Sequence, residues 1–370
     1  SPERALVDLS IARIIITPEH GRFWRDTCAE LSTEEEQPWI HACRPIAGFE
    51  SHREAAVYWI GRQGLKVERD SLLITNGAAH GIFLALASLA GPDDVVLCEG
   101  VTDHGVIGNS QVLGFTLKGL EMDRYGINPE HFEDMCSNER ITALVCTPNL
   151  NNPTTTLMPD ARRREIADIA RKFGVHIIED DVYGPLLDEQ RPPPISHYLP
   201  ELSFYCTSMT KSVLTGLRIG YLVVPKRLAL RTESILRVNS WMATPMVAEI
   251  AARWICDGRA DTLVRLQRKL LNTRQAMVSE HLGEYVLGQH PNALNAWISI
   301  PHHWELDSLV RALRHKHIAV TSPDPFIVRG IPRPRAVRVC VGAECSDEEM
   351  RDALIGMREI FGQYPQIHDF

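Results

Sequence analysis

The sequence predicts an α/β fold, in which a large domain built on a mainly parallel sheet sandwiched by helices precedes a smaller α+β domain. Three observations support this prediction. Short apolar segments alternate with helix-length amphipathic segments from residue 50 to about residue 225, which is typical of βαβ units. After Pro225 the pattern changes, and long helical segments come before the next strands. At 370 residues the chain is long enough for one large core and a second, smaller one.

The first part of the chain contains a series of short apolar segments that are candidate strands. They are Leu72–Thr75, Val95–Cys98, Thr116–Leu120, Ala143–Thr147, His176–Glu179, Ser203–Thr207 and Ile219–Val224. Candidate helices lie between them, at Gly81–Leu89, Pro129–Met135 and Ala161–Lys172. Ligands of such sheets bind at the carboxyl ends of the strands. Functional residues are therefore expected where these strands end.

The second part begins with a largely helical stretch, Ser234–Leu282, with a break predicted at Asp257-Gly258. The strands and helices predicted after it are Ala296–Ile300, Leu306–His315, Ala319–Val320, Ala336–Val341 and Asp347–Ile360. We expect an N-terminal segment at residues 1–48 that contributes to the small domain, a large domain at residues 49–250, and a small domain at residues 251–370.

The composition argues against several classes of protein. The formal net charge of −8 disfavours direct binding of nucleic acid, because proteins that bind the phosphate backbone carry a basic surplus. No apolar run reaches the length of a membrane span. The nine cysteines are scattered without a C-x-x-C pair, so neither a disulfide framework nor a metal site is predicted. A reducing, cytoplasmic location is expected.

The stretch TSMTKSVLTGLRIGYLVVP, residues 207–225, places a lysine where the chain is about to enter the core. Lys211 has Ser208 and Thr210 on its N-terminal side, and Arg218 follows seven residues later, before an apolar strand. A lysine in such a position is often present for chemistry rather than for solvation.

Polar or small residues also follow three other strands. In ITNGAAHGIF, Ala78 and Ala79 open a helix after a glycine turn, so the free N–H groups of this helix can approach an anion such as phosphate. A glycine that merely turns the chain is the simpler interpretation. In CTPNLNNPTTT, Asn152 precedes a proline that favours an extended backbone, although an Asx turn explains an isolated asparagine as well.

The third stretch, IIEDDVYGPL, runs from a buried strand into Asp180 and Asp181, and Tyr183 comes three residues after Asp180. Two acids at a strand end can bind Mg²⁺ in a nucleotide enzyme, but no G-x-x-x-x-G-K-[ST] motif precedes them. A carboxylate at this position can instead keep a ring nitrogen protonated.

The combination resembles the pyridoxal-phosphate-dependent aminotransferases of fold type I, class I/II. The resemblance is carried by the hydroxyl-flanked lysine with an arginine seven residues on, by N-N-P-T, and by D-x-x-Y with Asp180 lying 28 residues after Asn152. It covers essentially the whole chain. It implies pyridoxal 5'-phosphate as cofactor, an amino acid or 2-oxo acid as ligand, and a homodimer to which the N-terminal segment contributes contacts.

The resemblance also implies a role for each residue. Lys211 is expected to hold the cofactor covalently as a Schiff base and to carry the proton of the substrate α-carbon. Asp180 is expected to pair with the pyridinium nitrogen, while Asn152 and Tyr183 bind the ring hydroxyl oxygen. Because neighbouring residues of a strand face opposite ways, Asp180 is expected to matter more than Asp181.

Further residues are expected around the phosphate, the ring and the substrate. Ser208, Thr210, Arg218 and the N–H groups of Ala78 and Ala79 are the phosphate candidates, Val182 is expected to pack on one ring face, and Asn152 and Arg338 are the substrate-binding candidates. Arg338, in AVRVCVG, matches the arginine that binds the substrate carboxylate in this family. An arginine reaching water from a half-buried strand is the structural alternative.

Two positions depart from the family pattern. Asp103, in EGVTDH, stands where the family has an aromatic residue that stacks on the ring, and His104 beside it is the candidate replacement. Cys43 stands where a tyrosine often reaches the phosphate of the neighbouring subunit. The anchoring set is intact, so firm cofactor binding is expected more than efficient turnover.

A finer resemblance concerns the biological role. ALVDLS, HREAAVYWIGRQGL, LNNPTTTLMP and RWICDGRAD look like the aminotransferase-like domain of MocR-type regulators of the GntR family. In those proteins a winged helix-turn-helix and a linker precede this domain, so DNA contact is expected only through such a domain. One hypothesis is therefore an effector-sensing regulator domain with retained transamination chemistry. The other is a stand-alone aminotransferase acting on an amino acid and a 2-oxo acid.

Overall fold

The computed structural model describes residues 5–41 and 43–365. Residues 1–4, 42 and 366–370 of the predicted N-terminal and C-terminal parts lie outside this description. The strands are β1 (Val7–Asp8), β2 (Leu72–Thr75), β3 (Val95–Glu99), β4 (Thr116–Leu120), β5 (Met122–Asp123), β6 (Gly126–Ile127), β7 (Ala143–Cys146), β8 (His176–Asp180), β9 (Ser203–Ser208), β10 (Gly220–Val223), β11 (Val286–Gly288), β12 (Asn295–Ser299), β13 (Ile318–Ala319) and β14 (Ala336–Cys340).

Helices connect these strands along the whole chain. They are α1 (Pro18–Thr33), α2 (Glu50–Gly61), α3 (Ala78–Leu89), α4 (His104–Leu113), α5 (Pro129–Asn138), α6 (Asp160–Phe173), α7 (Ile195–Tyr198), α8 (Ala229–Ser240), α9 (Pro245–Cys256), α10 (Arg259–Leu282), α11 (Leu306–His315) and α12 (Asp347–Phe361). Within the described residues, no helix combines the length and the apolar character needed to cross a membrane.

A seven-stranded sheet forms the centre of the large part, in the order β2-β10-β9-β8-β7-β3-β4. The neighbours from β9 to β4 are parallel, whereas β10 runs antiparallel to both β2 and β9. The carboxyl ends of the parallel strands therefore share one edge of the sheet. The predicted α/β class and the mainly parallel sheet are confirmed.

Both faces of this sheet are buried under helices, because successive side chains of a strand point to opposite faces. Val145 and Ile178 lie in one apolar cluster, which includes side chains of α3. Their chain neighbours Leu144 and Ile177 lie in another, which includes side chains of α5 and α6. This arrangement explains why the strands are apolar throughout rather than alternating in polarity.

A three-stranded antiparallel sheet, β11-β12-β14, forms the centre of the C-terminal part. Its core includes residues from α10, α11 and α12. The long helix α10 contributes to two cores, since Leu263 and Val264 pack in the cluster that also contains α2 and α9, and Leu271 and Met277 pack in the C-terminal one.

The N-terminal segment packs against this C-terminal part. β1 pairs in parallel with β13, and the N–H of Cys340 donates to the carbonyl of Leu9 at 2.8 Å. Further on, Gly342 passes so close to Arg13 that a Cβ at position 342 would lie 1.6 Å from the Arg13 carbonyl oxygen. Residues 9–13 are thereby held against the end of β14.

The predicted elements of the first part agree with the structure to within a few residues. Two features of the second part were not predicted. β11 is short and only partly buried, so it lacks the apolar run that marks a strand. The helical stretch is also interrupted before Pro245, where Trp241 has a φ of 68° and proline at the first position of α9 excludes a continuous helix.

We predict that Gly342→Ala lowers the stability of the protein, since the added methyl group overlaps the Arg13 carbonyl and forces residues 9–13 away from β14. Overpacking of this kind costs about 1–3 kcal/mol. Chemical denaturation measures the difference. Gly283→Ala, where an added Cβ meets no atom within 4 Å, is the matched control and is expected to be neutral. Equal stability of the two variants would contradict the close approach.

Candidate active site

A cavity lies at the carboxyl edge of the large sheet and gathers residues from separate segments of the chain. It is lined by Ala78, Ala79, Ile82, Asp103, Gly105, Val106, Asn109, Thr147, Asn152, Asp180, Val182, Tyr183, Ser208, Thr210, Lys211 and Arg218. Every sequence-predicted cofactor residue except His104 is in this set. Residues that are far apart in the sequence therefore meet because parallel strands end at one edge.

One end of the cavity is built to attract an anion. α3 begins at Ala78 after Gly77, whose φ of 88° favours glycine. The first N–H groups of this helix have no partner within the helix. The guanidinium of Arg218 lies beside the turn, with Nη2 3.5 Å from the position of a Cβ on Gly77. Within the described residues, its side chain makes no ion pair or hydrogen bond, so it is available to an anion.

The hydroxyl groups before the lysine are held at the same end. Ser208 is the last residue of β9, and its Oγ accepts a hydrogen bond from the N–H of Thr210 at 3.4 Å. The hydroxyl of Thr210 donates to the carbonyl of Leu217 at 3.5 Å. Both residues line the cavity together with Arg218.

Asp180 is the last residue of β8, and it lines the cavity. Its Oδ1 accepts from the N–H of Val182 at 3.3 Å, and no lysine, arginine or histidine among the described residues forms an ion pair with it. Burial raises the pKa of this carboxyl to about 8, and the negative charge of Asp103 acts in the same direction. The site thus holds a buried acid whose charged form no cation among the described residues stabilises.

Asp181 points away from the cavity, as the alternation of side chains along a strand requires. It is fully buried and accepts hydrogen bonds from the hydroxyl of Tyr205 and from Nδ2 of Asn149, the latter at 2.7 Å. Arg163 in turn donates to Oδ1 of Asn149 at 2.5 Å. Asp181 therefore belongs to a structural network on the opposite side of β8 from the cavity.

Lys211 reaches the cavity from the turn after β9. Its Nζ donates to the carbonyl of Ala12, in the N-terminal segment, at 2.6 Å. Burial lowers the pKa of the amine, while the charge of Asp103 opposes this effect. Burial therefore favours the neutral form of the amine, which is the nucleophilic form.

Arg338 does not line the cavity itself but is joined by a chain of hydrogen bonds to two residues that do, Asn152 and Asp103. Nη1 of Arg338 donates to Oδ1 of Asn152 at 2.8 Å, and Nδ2 of Asn152 donates to Oδ2 of Asp103 at 3.0 Å. Nη2 of Arg338 also donates to the carbonyl of Ser10 at 2.6 Å, and the guanidinium lies over the ring of Phe326. Nε of Arg338 is buried without a partner among the described residues. Arg338 does not snorkel to water but is held in the interior.

Tyr183 and Val182 complete the wall that follows Asp180. Both side chains are buried and line the cavity. Burial raises the pKa of the Tyr183 hydroxyl, and the charges of Asp103 and Asp180 raise it further. The hydroxyl therefore stays protonated and can donate a hydrogen bond.

The expectation that His104 replaces the aromatic residue stacking on the ring is wrong, because the side chain lies outside the cavity. Its side chain is 72% exposed, and it does not line the cavity. The reason is that Asp103 is the N-cap of α4 and accepts from the N–H of Gly105 at 2.8 Å, so the aspartate faces inward and the histidine lies outside. Cys43 is exposed, and its carbonyl accepts from Nε1 of Trp241 at 2.6 Å.

Sequence reasoning missed several contacts of the site. Thr147 follows directly after β7, so the rule that ligands collect at strand ends points to it. Asn109 lies on α4 behind Gly105, and no motif marks it. The carbonyls of Ser10 and Ala12 carry no signal at all, since any residue supplies a backbone oxygen.

Comparison with known proteins identifies the family. Residues 23–355 match the family model described as "Aminotransferase class I and II". The chain belongs to the class I and II aminotransferase family. Among curated relatives of this aminotransferase-family chain, the "Uncharacterized HTH-type transcriptional regulator YdeF" of Bacillus subtilis (strain 168) is 28% identical over 308 residues, which cover 83% of this chain and 66% of that protein. The "2-aminoadipate transaminase" of Thermus thermophilus is 23% identical over 296 residues, which cover 77% of this chain and 73% of that protein.

Solved structures of aminotransferases share the fold. An archaeal alanine:glyoxylate aminotransferase superposes with a TM-score of 0.86 at 19% identity, over 97% of this chain and 91% of that one. A second structure is the α-aminoadipate aminotransferase LysN of Thermus thermophilus, complexed with N-(5'-phosphopyridoxyl)-L-leucine. It superposes with a TM-score of 0.84 at 19% identity, over 96% of this chain and 92% of that one. The aminotransferase fold predicted from the motifs is confirmed, as is the resemblance to regulators that carry such a domain.

The cofactor of this family is pyridoxal phosphate, and the cavity fits it. Asp180 has no cationic partner among the described residues, and pyridoxal phosphate carries a basic ring nitrogen that can supply one. Arg218 and the N–H groups at the start of α3 have no anionic partner there, and the cofactor carries a phosphate. Lys211 supplies an amine in the same cavity. The unpaired groups of this protein are therefore complementary to those of the cofactor.

We predict that Asp180→Asn stabilises the cofactor-free protein increasingly as the pH rises. The carboxyl has a pKa of about 8 in the folded protein, against an ordinary value of 3.8. Between these values the unfolded chain releases the proton and the folded protein keeps it, so the wild type loses stability as the pH rises towards 8. Asparagine has no such proton. Melting temperatures are expected to differ by about 2–4 °C or more above pH 8.

At about pH 5 the difference in melting temperature between the two proteins should be smaller. At that pH only a small part of the interval between the unfolded and the folded pKa has been crossed, so the wild type has lost little stability. Asp93→Asn, in the exposed turn before β3, is the control and is expected to show no such trend. A stability difference for Asp180→Asn that does not grow with pH would show that this carboxyl does not hold its proton in the folded protein.

Proposed function

We propose that this chain is the pyridoxal-phosphate-binding, effector-sensing part of a MocR-type regulator of the GntR family, with retained transamination chemistry. The HTH-type transcriptional regulators among its relatives support the regulatory half of this proposal; the chain spans about two thirds of their length. The intact set of cavity residues carries the cofactor half. Contact with DNA is assigned to a winged helix-turn-helix domain outside this sequence.

In this proposal each end of the cavity binds one part of the cofactor. Asp180 pairs with the ring nitrogen and keeps it cationic. Arg218, Ser208, Thr210 and the N–H groups that begin α3 bind the phosphate, and the planar guanidinium gives two parallel hydrogen bonds. Asn152 and Tyr183 donate to the ring hydroxyl oxygen, and Val182 packs against the ring.

Lys211 acts at the reacting end. Lys211 would hold the cofactor covalently, because a neutral amine is the form that is nucleophilic towards an aldehyde. Bound pyridoxal phosphate supplies a cationic ring that accepts the electron pair left when an amino acid loses its α-proton. Nζ of Lys211 would take that proton and return it, while Arg338 and Asn152 would hold the ligand carboxylate.

The alternative is a stand-alone aminotransferase that transfers an amino group between an amino acid and a 2-oxo acid. Two observations favour it. The match to the 2-aminoadipate transaminase extends over 77% of the chain, and Lys211 and Asp180, the candidates for anchoring the cofactor and pairing with its ring nitrogen, line one cavity. The two functions differ in turnover, because a sensor needs only to bind its ligand, whereas an enzyme has to release product and start again.

We predict that borohydride fixes pyridoxal phosphate to Lys211. Reduction of the C=N bond leaves a stable secondary amine, which peptide mass spectrometry locates. Amino acids added to the unreduced protein are expected to change the visible absorption, whereas sustained turnover with a 2-oxo acid acceptor is expected to stay below about 1 s⁻¹, the low end of typical enzymes.

Lys211→Ala is the control for this experiment and should carry no label. Lys269, on α10, does not line the cavity and should be unlabelled in both proteins. Label on a different lysine would overturn the assignment of the anchor. Sustained turnover at the rate of ordinary transaminases would favour the stand-alone enzyme over the sensor.

We also propose that the chain forms a homodimer through a surface on α8. Leu230 and Val238 are 84% and 82% exposed, which is unusual for two apolar side chains on one helix unless another surface covers them. Trp241 and Met246, which follow α8, are also exposed. Because Trp241 donates to the carbonyl of Cys43, this surface adjoins the position where the family often has its cross-subunit tyrosine.

Light scattering of the cofactor-loaded protein is expected to give twice the chain mass of 41.6 kDa. The double variant Leu230→Glu, Val238→Glu is expected to shift the mass to that of a monomer, because it places charges in a dehydrated contact. Leu287→Glu, at a 61% exposed position on β11, is the matched control and should leave the mass unchanged. A wild type that stays monomeric at micromolar concentration would contradict the dimer.

A further inference from the structure

A second cavity, of about 410 Å³, lies at the opposite edge of the large sheet from the cofactor cavity. Ser71 precedes β2, Ser203 is the first residue of β9, and Val223 is the last residue of β10. All three line this cavity, because β10 runs antiparallel to both of its neighbours. The cofactor cavity is smaller, about 160 Å³, and the two have no described lining residue in common. The second cavity is therefore a separate place of the size that small-molecule ligands occupy.

The inner wall of this cavity is mostly apolar. Leu65, Val67 and Val223 line it, and all three pack in or against the apolar cluster that also contains α2 and α9. Tyr205 offers its ring to the cavity, because its hydroxyl already donates to the carboxylate of Asp181. An occupant that covers this wall removes apolar surface from water, so the wall favours a ligand with an apolar body.

One buried polar atom of the wall has no partner. Ser203 and Tyr205 are two residues apart on β9, so their side chains lie on the same face of the sheet. Ser203 is 3% exposed, and its Oγ makes no hydrogen bond with another described residue. The hydroxyl of Ser196, which also lines the cavity, donates to Glu179 at 2.7 Å. Because a buried hydroxyl without a partner costs free energy, Ser203 marks the point of the wall where a polar atom of a ligand is stabilised.

The acids at the rim of the cavity are already paired. Glu68 forms an ion pair with Lys226 at 3.4 Å. Glu201 forms one with Arg171, outside the cavity, at 3.1 Å. Neither carboxylate is therefore left to attract a cationic ligand.

Two cations at the rim are not paired. Lys66 and Arg227 line the cavity and are exposed. Neither forms an ion pair or a side-chain hydrogen bond with another residue of the described chain. The rim therefore has two positive charges available to an anion.

We propose that this cavity is a second ligand site, which binds an organic carboxylate with an apolar body: the body packs on the aliphatic wall and the ring of Tyr205, a polar atom of that body pairs with Oγ of Ser203, and the carboxylate lies at the rim with Lys66 and Arg227. The carboxylate stays close to water in this arrangement and avoids the cost of burying a charge. The proposal does not rest on the proposed function, because no residue of this cavity is assigned to the cofactor.

The test is titration calorimetry with indole-3-acetate, which combines an aromatic body, an N–H group that can donate to Oγ of Ser203, and a carboxylate. Binding to the cofactor-loaded protein is expected in the submillimolar range and is expected to be the same in the cofactor-free protein. Indole-3-acetamide has the same body without the charge and is expected to bind about tenfold more weakly. Acetate has the charge without the body and is expected to show no binding.

Reversal of the rim charges tests the two cations. The double variant Lys66→Glu, Arg227→Glu is expected to weaken the binding of indole-3-acetate by about tenfold or more, because it replaces two attractions by repulsions. Lys269→Glu, Lys316→Glu, at exposed positions on α10 and directly after α11, makes the same change in net charge and is expected to have no effect.

Two further variants test the inner wall. Ser203→Ala is expected to weaken binding by about three- to tenfold, which corresponds to the loss of one hydrogen bond. Val67→Trp places a large ring in the cavity and is expected to abolish binding. Val112→Trp, at a 75% exposed position on α4, is the matched control and should bind indole-3-acetate as the wild type does.

A wild-type protein that binds no indole-3-acetate at millimolar concentration would overturn the proposal. Binding that the charge reversal, Ser203→Ala and Val67→Trp all leave unchanged would overturn it as well, since the probe then occupies another place. Failure of borohydride to label Lys211 would contradict the proposed function, whereas the titration of the cofactor-free protein would still decide whether the second site exists.

Discussion

The carboxyl of Asp180 is the group on which the rest of the site depends. A buried acid without a cation is costly for a folded protein, and this one lies at the end of β8 with only a backbone N–H as partner among the described residues. The cavity above it holds the amine of Lys211, and the guanidinium of Arg218 lies beside the start of α3, available to an anion. The fold therefore leaves Asp180 and Arg218 without ion-pair partners in one cavity, and a ligand with a cationic ring and an anionic tail is complementary to them. Stability given up in the free protein becomes affinity for the cofactor.

The contrast between Asp180 and Asp181 shows how one strand supplies both the site and its support. The two residues are adjacent, and both carboxyls have a raised pKa because both are buried. Asp181 has partners for its oxygens, the hydroxyl of Tyr205 and the amide of Asn149, whereas Asp180 is open to the cavity. Because β8 fixes their opposite directions, the network around Asp181 also fixes the direction of Asp180. A residue that does not line the cavity thus helps to position one that does.

Much of the site could be predicted from the sequence, because its chemistry is local to strand ends. The hydroxyl-flanked Lys211, the small residues that begin α3, and the choice of Asp180 over Asp181 all follow from short motifs and the two-residue period of a strand. The inward position of Asp103 could not be predicted, since it depends on which residue caps α4. The contacts of Ser10 and Ala12 with Arg338 and Lys211 were equally hidden, because they use backbone oxygens.

Those backbone contacts link the site to the N-terminal segment. Arg338 uses Nη1 for Asn152 and Nη2 for the carbonyl of Ser10, and its Nε has no partner among the described residues. The carbonyl of Ala12, two residues further on, accepts from Nζ of Lys211 at 2.6 Å. Two side chains from distant parts of the sequence, Arg338 and Lys211, thus hold residues 10–12 through backbone oxygens. The position of this segment depends on those side chains more than on its own sequence, which is why no motif marks it.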